Sequence, residues 1–173
     1  MQLALKNIKI HAGLSEETTC YEAVLYVDGK RACHVSNRGT GGCDDQHWLP
    51  GSPRQAVEDH FKAMPAYDEA LSDGTRFTVQ PDLESWCADA LTEHAVLADY
   101  ARATKRAVVV VHGDKEYTFK AKPPVTAALR AHVAAKYPGS TIINDLDPEA
   151  LRAHVRKALD EARDRRPAAS AAP

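Results

Sequence analysis

The dipeptide Asp28-Gly29 constrains this chain more than any other feature. It lies between two alternating, β-rich runs, Tyr21-Glu22-Ala23-Val24-Leu25-Tyr26-Val27 and Lys30-Arg31-Ala32-Cys33-His34-Val35-Ser36. A tight hairpin turn of the primed type needs positive φ at its central residues, which Asp-Gly supplies, so the pattern predicts a hairpin over 20–36. With a two-residue turn, Val27 faces Lys30, Val24 faces Cys33 and Cys20 faces Asn37. Cys20 and Cys33 then lie four positions apart along the ladder, about 13 Å at the usual rise. A disulfide tolerates a Cα separation of only about 7 Å. Cys87 falls on the apolar stripe of a predicted helix, and the four cysteines are expected as free thiols.

A second hairpin is expected about Gly113-Asp114. It places Val110 opposite Tyr117 and Val108 opposite Phe119, β-branched against aromatic, at about 0.2–1 kcal/mol for each pair. Residues 2–12 read as a strand with an irregularity near Lys6-Asn7. Ser52 is the expected N-cap of a helix, with Pro53 in its first position and Gln55 completing a capping box. Leu83, Trp86/Cys87, Leu91, Leu97 and Tyr100 recur at helical spacing over 81–103. A third helix follows Pro123-Pro124 and stops at Pro138-Gly139, with Thr141-Ile142-Ile143 as a short strand after it. Asp147 then caps a last helix with Pro148 in its first position. The class is α+β: two antiparallel β-hairpins plus an N-terminal strand, packed with about four helices. The expected organisation is a single domain over 1–166 and a disordered tail over 167–173, where Pro, Ala and Ser offer no core-forming residue.

Charge and hydropathy exclude some classes. Over 173 residues, 22 Lys and Arg face 24 Asp and Glu, so the net charge of −2 provides no global attraction to phosphate. No run approaches the roughly 18 apolar residues of a membrane helix. The opening Met1-Gln2-Leu3-Ala4-Leu5-Lys6 has no signal-peptide core, and a cytoplasmic protein is expected.

The stretch from Asn37 to Trp48 carries the chemistry. It gathers three glycines, a thiol, two carboxylates, an imidazole and an indole, and it reads as one long loop, the kind of segment that carries function on a rigid scaffold. Gly39-Thr40-Gly41-Gly42 lacks the Lys-Ser/Thr pair and the immediate helix of a phosphate-binding loop, so these glycines are read as positive-φ turns. Cys43, Asp44, Asp45 and His47 are zinc-type ligands. They supply only one Cys-x₃-His pair, however, and His34 points away from the face that holds Cys33. No metal and no cofactor are assigned. The candidate partner-binding residues are Asn37, Arg38, Gly41, Gly42, Asp44, Asp45, His47 and Trp48. Arg38 and Trp48 are the expected anchors, since Arg and Trp are over-represented among interface hot spots. The alternative is a metal-dependent hydrolase or nuclease using Asp44, Asp45 and His47. The basic residues of the last helix, Arg152, Arg156, Lys157, Arg163, Arg165 and Arg166, alternate with acids and read as a solvated face. A nucleic-acid contact would need help from Arg102, Lys105, Arg106, Lys120 and Lys122.

Ser15-Glu16-Glu17-Thr18-Thr19-Cys20-Tyr21-Glu22-Ala23, continuing through Tyr26-Val27-Asp28-Gly29-Lys30 to Val35-Ser36-Asn37-Arg38-Gly39-Thr40-Gly41-Gly42, resembles a small family of uncharacterised bacteriophage and prophage proteins. The resemblance covers about the first quarter of the chain. That family has no established activity, so the resemblance implies no catalytic role. It implies a small accessory protein in a bacterial cytoplasm that binds a host or phage macromolecule. The expected reading is a non-enzymatic binding module acting through residues 37–48, on a protein in preference to a nucleic acid.

Overall fold

The computed structural model describes residues 1–71 and 73–164. The tail expected over 167–173 lies outside the described residues. The elements in chain order are β1 (Leu3–Ile10), β2 (Tyr21–Val27), β3 (Lys30–Asn37), β4 (Asp45–Trp48), α1 (Arg54–Lys62), β5 (Tyr67–Ala70), β6 (Arg76–Val79), α2 (Leu83–Ala103), β7 (Val108–His112), β8 (Lys115–Phe119), α3 (Ala127–Lys136), β9 (Thr141–Ile142) and α4 (Pro148–Asp164). Among the described residues, antiparallel sheets with four α-helices make the class α+β. The chain, expected as one domain over 1–166, clusters into two compact units, Met1–Leu91 and a second from Thr92 on.

The first unit is built on an antiparallel sheet in the order β1-β2-β3-β4. Asp28 and Gly29 take φ of 47° and 79°, as the turn requires. Val27 pairs with Lys30 and Tyr26 with Arg31, but the register then slips: Leu25 faces Cys33, Val24 faces His34 and Tyr21 faces Asn37. This corrects the expected pairing of Val24 with Cys33. A bulge at Ala32 sets two residues against one, so Ala32 and Cys33, consecutive in sequence, are both buried. A one-residue slip exchanges the faces of everything beyond it. Cys33, Val35 and Asn37 therefore turn inward. The irregularity in β1 falls where expected, with Asn7 at φ 54° and the register shifting between Lys6 and Lys9.

The expected cap of α1 is also corrected. Pro53 occupies the N-cap without a side-chain bond, and Gln55 bonds Asp59 at 2.9 Å. The Ser52 hydroxyl instead donates to the Ala32 carbonyl at 2.8 Å. That same oxygen accepts the Leu49 N–H at 2.9 Å, so the bulge anchors the turn from β4 into α1. α2 starts on a reciprocal cap in which the Ser85 N–H donates to Asp82 at 2.8 Å and the Asp82 N–H to Ser85 at 3.0 Å. Val57 and Phe61 of α1, with Leu83, Cys87 and Leu91 of α2, pack on Tyr21, Ala23, Leu25, Val27, Cys33 and Val35. β5 and β6 form a hairpin that the sequence pattern did not announce.

In the second unit the sheet order is β8-β7-β9, and Val110 faces Tyr117 and Val108 faces Phe119 as expected. Val108 and Val110 pack on Val125 and on Val133 of α3, which starts on Thr126. Asp147 caps α4, its Oδ1 accepting from the N–H groups of Glu149 and Ala150 at 2.9 and 2.8 Å. Asn144 ties β7 to its neighbours, accepting from the Val109 N–H at 2.9 Å and donating to the carbonyls of Thr104 and Ala107. No helix among the described residues is long and apolar enough to cross a membrane.

Candidate functional site

The segment read as a loop over 37–48 divides into three parts. Asn37 ends β3, residues 38–44 make the connection, and Asp45–Trp48 form the edge strand β4. Trp48 pairs with Cys33, His47 with His34, Gln46 with Val35 and Asp45 with Ser36. The 37–48 loop is thus corrected to a seven-residue link, because the alternation of Asp45, Gln46, His47 and Trp48 completes a sheet.

The link is held from inside. Asn37 is 7 % exposed and is the polar residue buried in this core. Its Oδ1 accepts from the Thr18 hydroxyl at 2.7 Å and from the Gly39 N–H at 2.9 Å. Its Nδ2 donates to the Gly42 carbonyl at 3.2 Å and to Asp44 Oδ1 at 3.1 Å. The other Asp44 oxygen accepts the Tyr21 hydroxyl in a short contact. The Gly39 carbonyl receives three N–H groups, from Glu16, Glu17 and Thr18, at 2.8, 2.9 and 3.3 Å. Gly39 has a φ of +85°, and a Cβ there would collide with the Leu14 carbonyl, so only glycine fits. Burial, followed by the bond to Asp44, raises the Tyr21 pKa above the ordinary tyrosine range. Burial likewise pushes the Cys87 thiol beside it up to about 12, and the Cys33 thiol up to about 11. These groups are neutral acids sealed in the core, and neither thiol is poised as a thiolate nucleophile.

The eight candidate residues therefore separate. Asn37, Gly41, Gly42 and Asp44 belong to the internal network: the Gly41 N–H reaches the Thr18 hydroxyl at 3.3 Å, and Gly42 supplies its carbonyl. Trp48 packs its ring against the core. Arg38, Asp45 and His47 are exposed. Arg38 meets Asp45 at 3.8 Å, with side-chain exposures of 87 % and 54 %, a loose surface pair. Asp45 and His47, two apart on β4, share the sheet's outer face with His34. There the Arg31 guanidinium donates to His34 Nε2 at 3.2 Å.

Asp44 faces Tyr21 inside while Asp45 and His47 face out, so the three side chains expected of a hydrolase share no focus. Among the described residues no group of three or more His, Cys, Asp and Glu side chains converges on a metal position. Cys43 is exposed and makes no side-chain hydrogen bond with a described residue. All four thiols are free, as the ladder distance predicted. Sequence reasoning missed Thr18, Tyr21 and Cys87 as members of the network. For Tyr21 the signal was the alternation of β2, which sends it to the same face as Leu25 and Val27. Two arginines of α4 are occupied: Arg152 and Arg156 both grip Glu93, at 3.3 and 2.9 Å. No protein-family model, curated protein or solved structure matches the chain.

Proposed function

We propose that this chain is a small accessory protein of the bacteriophage and prophage type. On this reading it is a non-enzymatic binding module of the bacterial cytoplasm that meets a host or phage protein through the outer face of β3 and β4. The observation that carries the reading is the division within 37–48. Asn37 and Asp44 are used up in holding the chain, while Arg38, Asp45 and His47 stand exposed on an edge strand with a rigid network behind them. An edge strand offers unpaired backbone groups as well as side chains to a partner. A preformed surface also avoids part of the ordering cost of association.

The test replaces Arg38, Asp45 and His47 together by alanine. Wild type and variant are used to capture proteins from nuclease-treated bacterial lysate, with quantitative mass spectrometry of what is retained. The expected result is a protein retained by the wild type and lost by the variant, at an unchanged melting temperature. Equal capture by the two proteins would place the contact elsewhere.

A further inference from the structure

The net charge of −2 conceals a division. Residues 1–91 carry 8 Lys and Arg against 14 Asp and Glu, whereas residues 92–173 carry 14 against 10. The excess is concentrated further: 102–136 holds 8 basic residues and 2 acidic ones. Two of the eight are paired, Arg102 with Asp99 and Arg130 with Asp145. The other six, Lys105, Arg106, Lys115, Lys120, Lys122 and Lys136, are exposed and form no ion pair with a described residue. This is the reverse of α4, whose Arg152 and Arg156 share Glu93.

Aromatic rings share the side of Lys115 and Lys136. Lys115, Tyr117 and Phe119 alternate onto one face of β8, the edge strand of its sheet, and Tyr137 follows α3 onto the same face. The Tyr117 and Tyr137 rings are 4.4 Å apart between centroids, and Phe119 meets Tyr137 edge-on at 6.3 Å. All three rings are half-buried, Tyr117 and Phe119 because they pack on Val108, Val110, Val125 and Val133, and Lys136 Nζ stands 5.4 Å from the Tyr137 centroid. Neither acidic residue of the segment faces them: Asp114 sits in the turn, and Glu116 alternates to the other side of β8, where it interacts with Tyr100.

We propose that the β8 edge and the end of α3 form a binding surface for single-stranded nucleic acid. Tyr137, backed by the core-packed Tyr117 and Phe119, takes a base by stacking, and Lys115, Lys120, Lys122 and Lys136 take backbone phosphates. Stacking on a ring cluster needs unpaired bases, which a duplex does not offer, while lysines spread along a strand follow a flexible backbone. From Lys115 to Lys120 the cations cover about 17 Å at the rise of an extended chain.

The experiment is fluorescence anisotropy of labelled oligo(dT), oligo(U) and a matched duplex with the full chain. The expected result is binding of one or both single strands, weaker binding of the duplex, and a log–log salt slope of about −3 for four phosphate contacts. Tyr137→Leu keeps apolar volume but removes the ring, and should weaken binding by about 5- to 150-fold. Tyr137→Phe should bind as the wild type does. Lys120→Glu with Lys122→Glu, at exposed positions that leave the fold intact, should weaken binding and flatten the salt slope. Lys30→Glu, in the acidic half, should leave it unchanged. The proposal is overturned if neither single strand binds at low salt, if the lysine variant binds undiminished, or if the duplex binds as tightly as the single strands. Should Tyr137→Leu not fold, the lysine variant decides.

Discussion

The link over residues 38–44 and the surface of β8 with α3 use similar polar material in opposite ways. Around the link almost every donor has found an acceptor inside the protein: Thr18, Asn37, Asp44 and Tyr21 satisfy one another and the backbone. Among the described residues no buried side-chain nitrogen or oxygen lacks a partner. On the second surface, Lys115 and Lys136, without ion pairs among the described residues, stand on the side of three half-buried rings. A dense run of reactive residue types is therefore a poor guide to a free site. What counts is which groups the fold leaves unsatisfied. Asp44 and Asp45 show this within one peptide unit, since the first is a structural acceptor and the second a surface charge.

The largest effect expected from this contrast is alkaline. Tyr21, Cys33 and Cys87 all lie in the first unit, and burial raises the pKa of each, the thiols to about 11 and about 12. In the unfolded chain these groups ionise at ordinary values, about 8.5 for a thiol and about 10 for tyrosine. Between the unfolded and folded values the native state binds more protons, so stability falls as pH rises. The contribution is fully present at neutral pH and is lost by up to about 1.4 kcal/mol per pH unit for each group above its unfolded pKa. Both tryptophans, Trp48 and Trp86, pack against this core, so their fluorescence reports the unit directly. Urea midpoints followed that way should drop steeply from about pH 9 upward. A midpoint that holds through this range would mean that the three acids are not sealed.

The next effect separates the two carboxylates. Asp44→Ala leaves the buried Tyr21 hydroxyl without its acceptor and removes one from Asn37, and should cost about 2–3 kcal/mol. Asp45→Ala removes only a loose surface pair and should cost less than about 0.5 kcal/mol. Thermal denaturation of the two variants side by side is the measurement. Equal losses would erase the distinction between an internally satisfied link and an exposed strand.

The turns were legible because their chemistry is local. Asp28-Gly29, Gly113-Asp114 and the Asp147-Pro148 cap each declare themselves within a few residues, and each forms as read. The bulge at Ala32 was not legible. Nothing near it marks an extra residue, yet it decides that Asn37 points inward and so what Asp44 does. The short β4 was hidden because its four residues carry the polar side chains of a loop. Glu93 anchors two arginines about sixty positions away, a relation no local pattern holds. The charge division between the halves was present in the sequence throughout. A near-zero total masked it, and the distribution carried the information.

The smallest effect concerns Ser52, whose role also turned on the bulge. A cap and a tether make different demands on the same side chain. An N-cap accepts a hydrogen bond from the helix, so Asp and Asn serve there as well as Ser. Here the hydroxyl donates to the Ala32 carbonyl, and α1 starts without a side-chain cap. Ser52→Ala should cost about 1 kcal/mol, the net worth of one hydrogen bond. That loss alone fits either role, and Ser52→Asp separates them. A capping site would accept the carboxylate and even gain from the helix dipole. At a tether the carboxylate cannot donate and brings negative charge toward a carbonyl oxygen, so Asp should be less stable than Ala, while Thr keeps the donor and most of the stability. Denaturant midpoints in the order Ser, Thr, Ala, Asp place Ser52 with the internally satisfied sheet; a rise at Asp would return it to the helix.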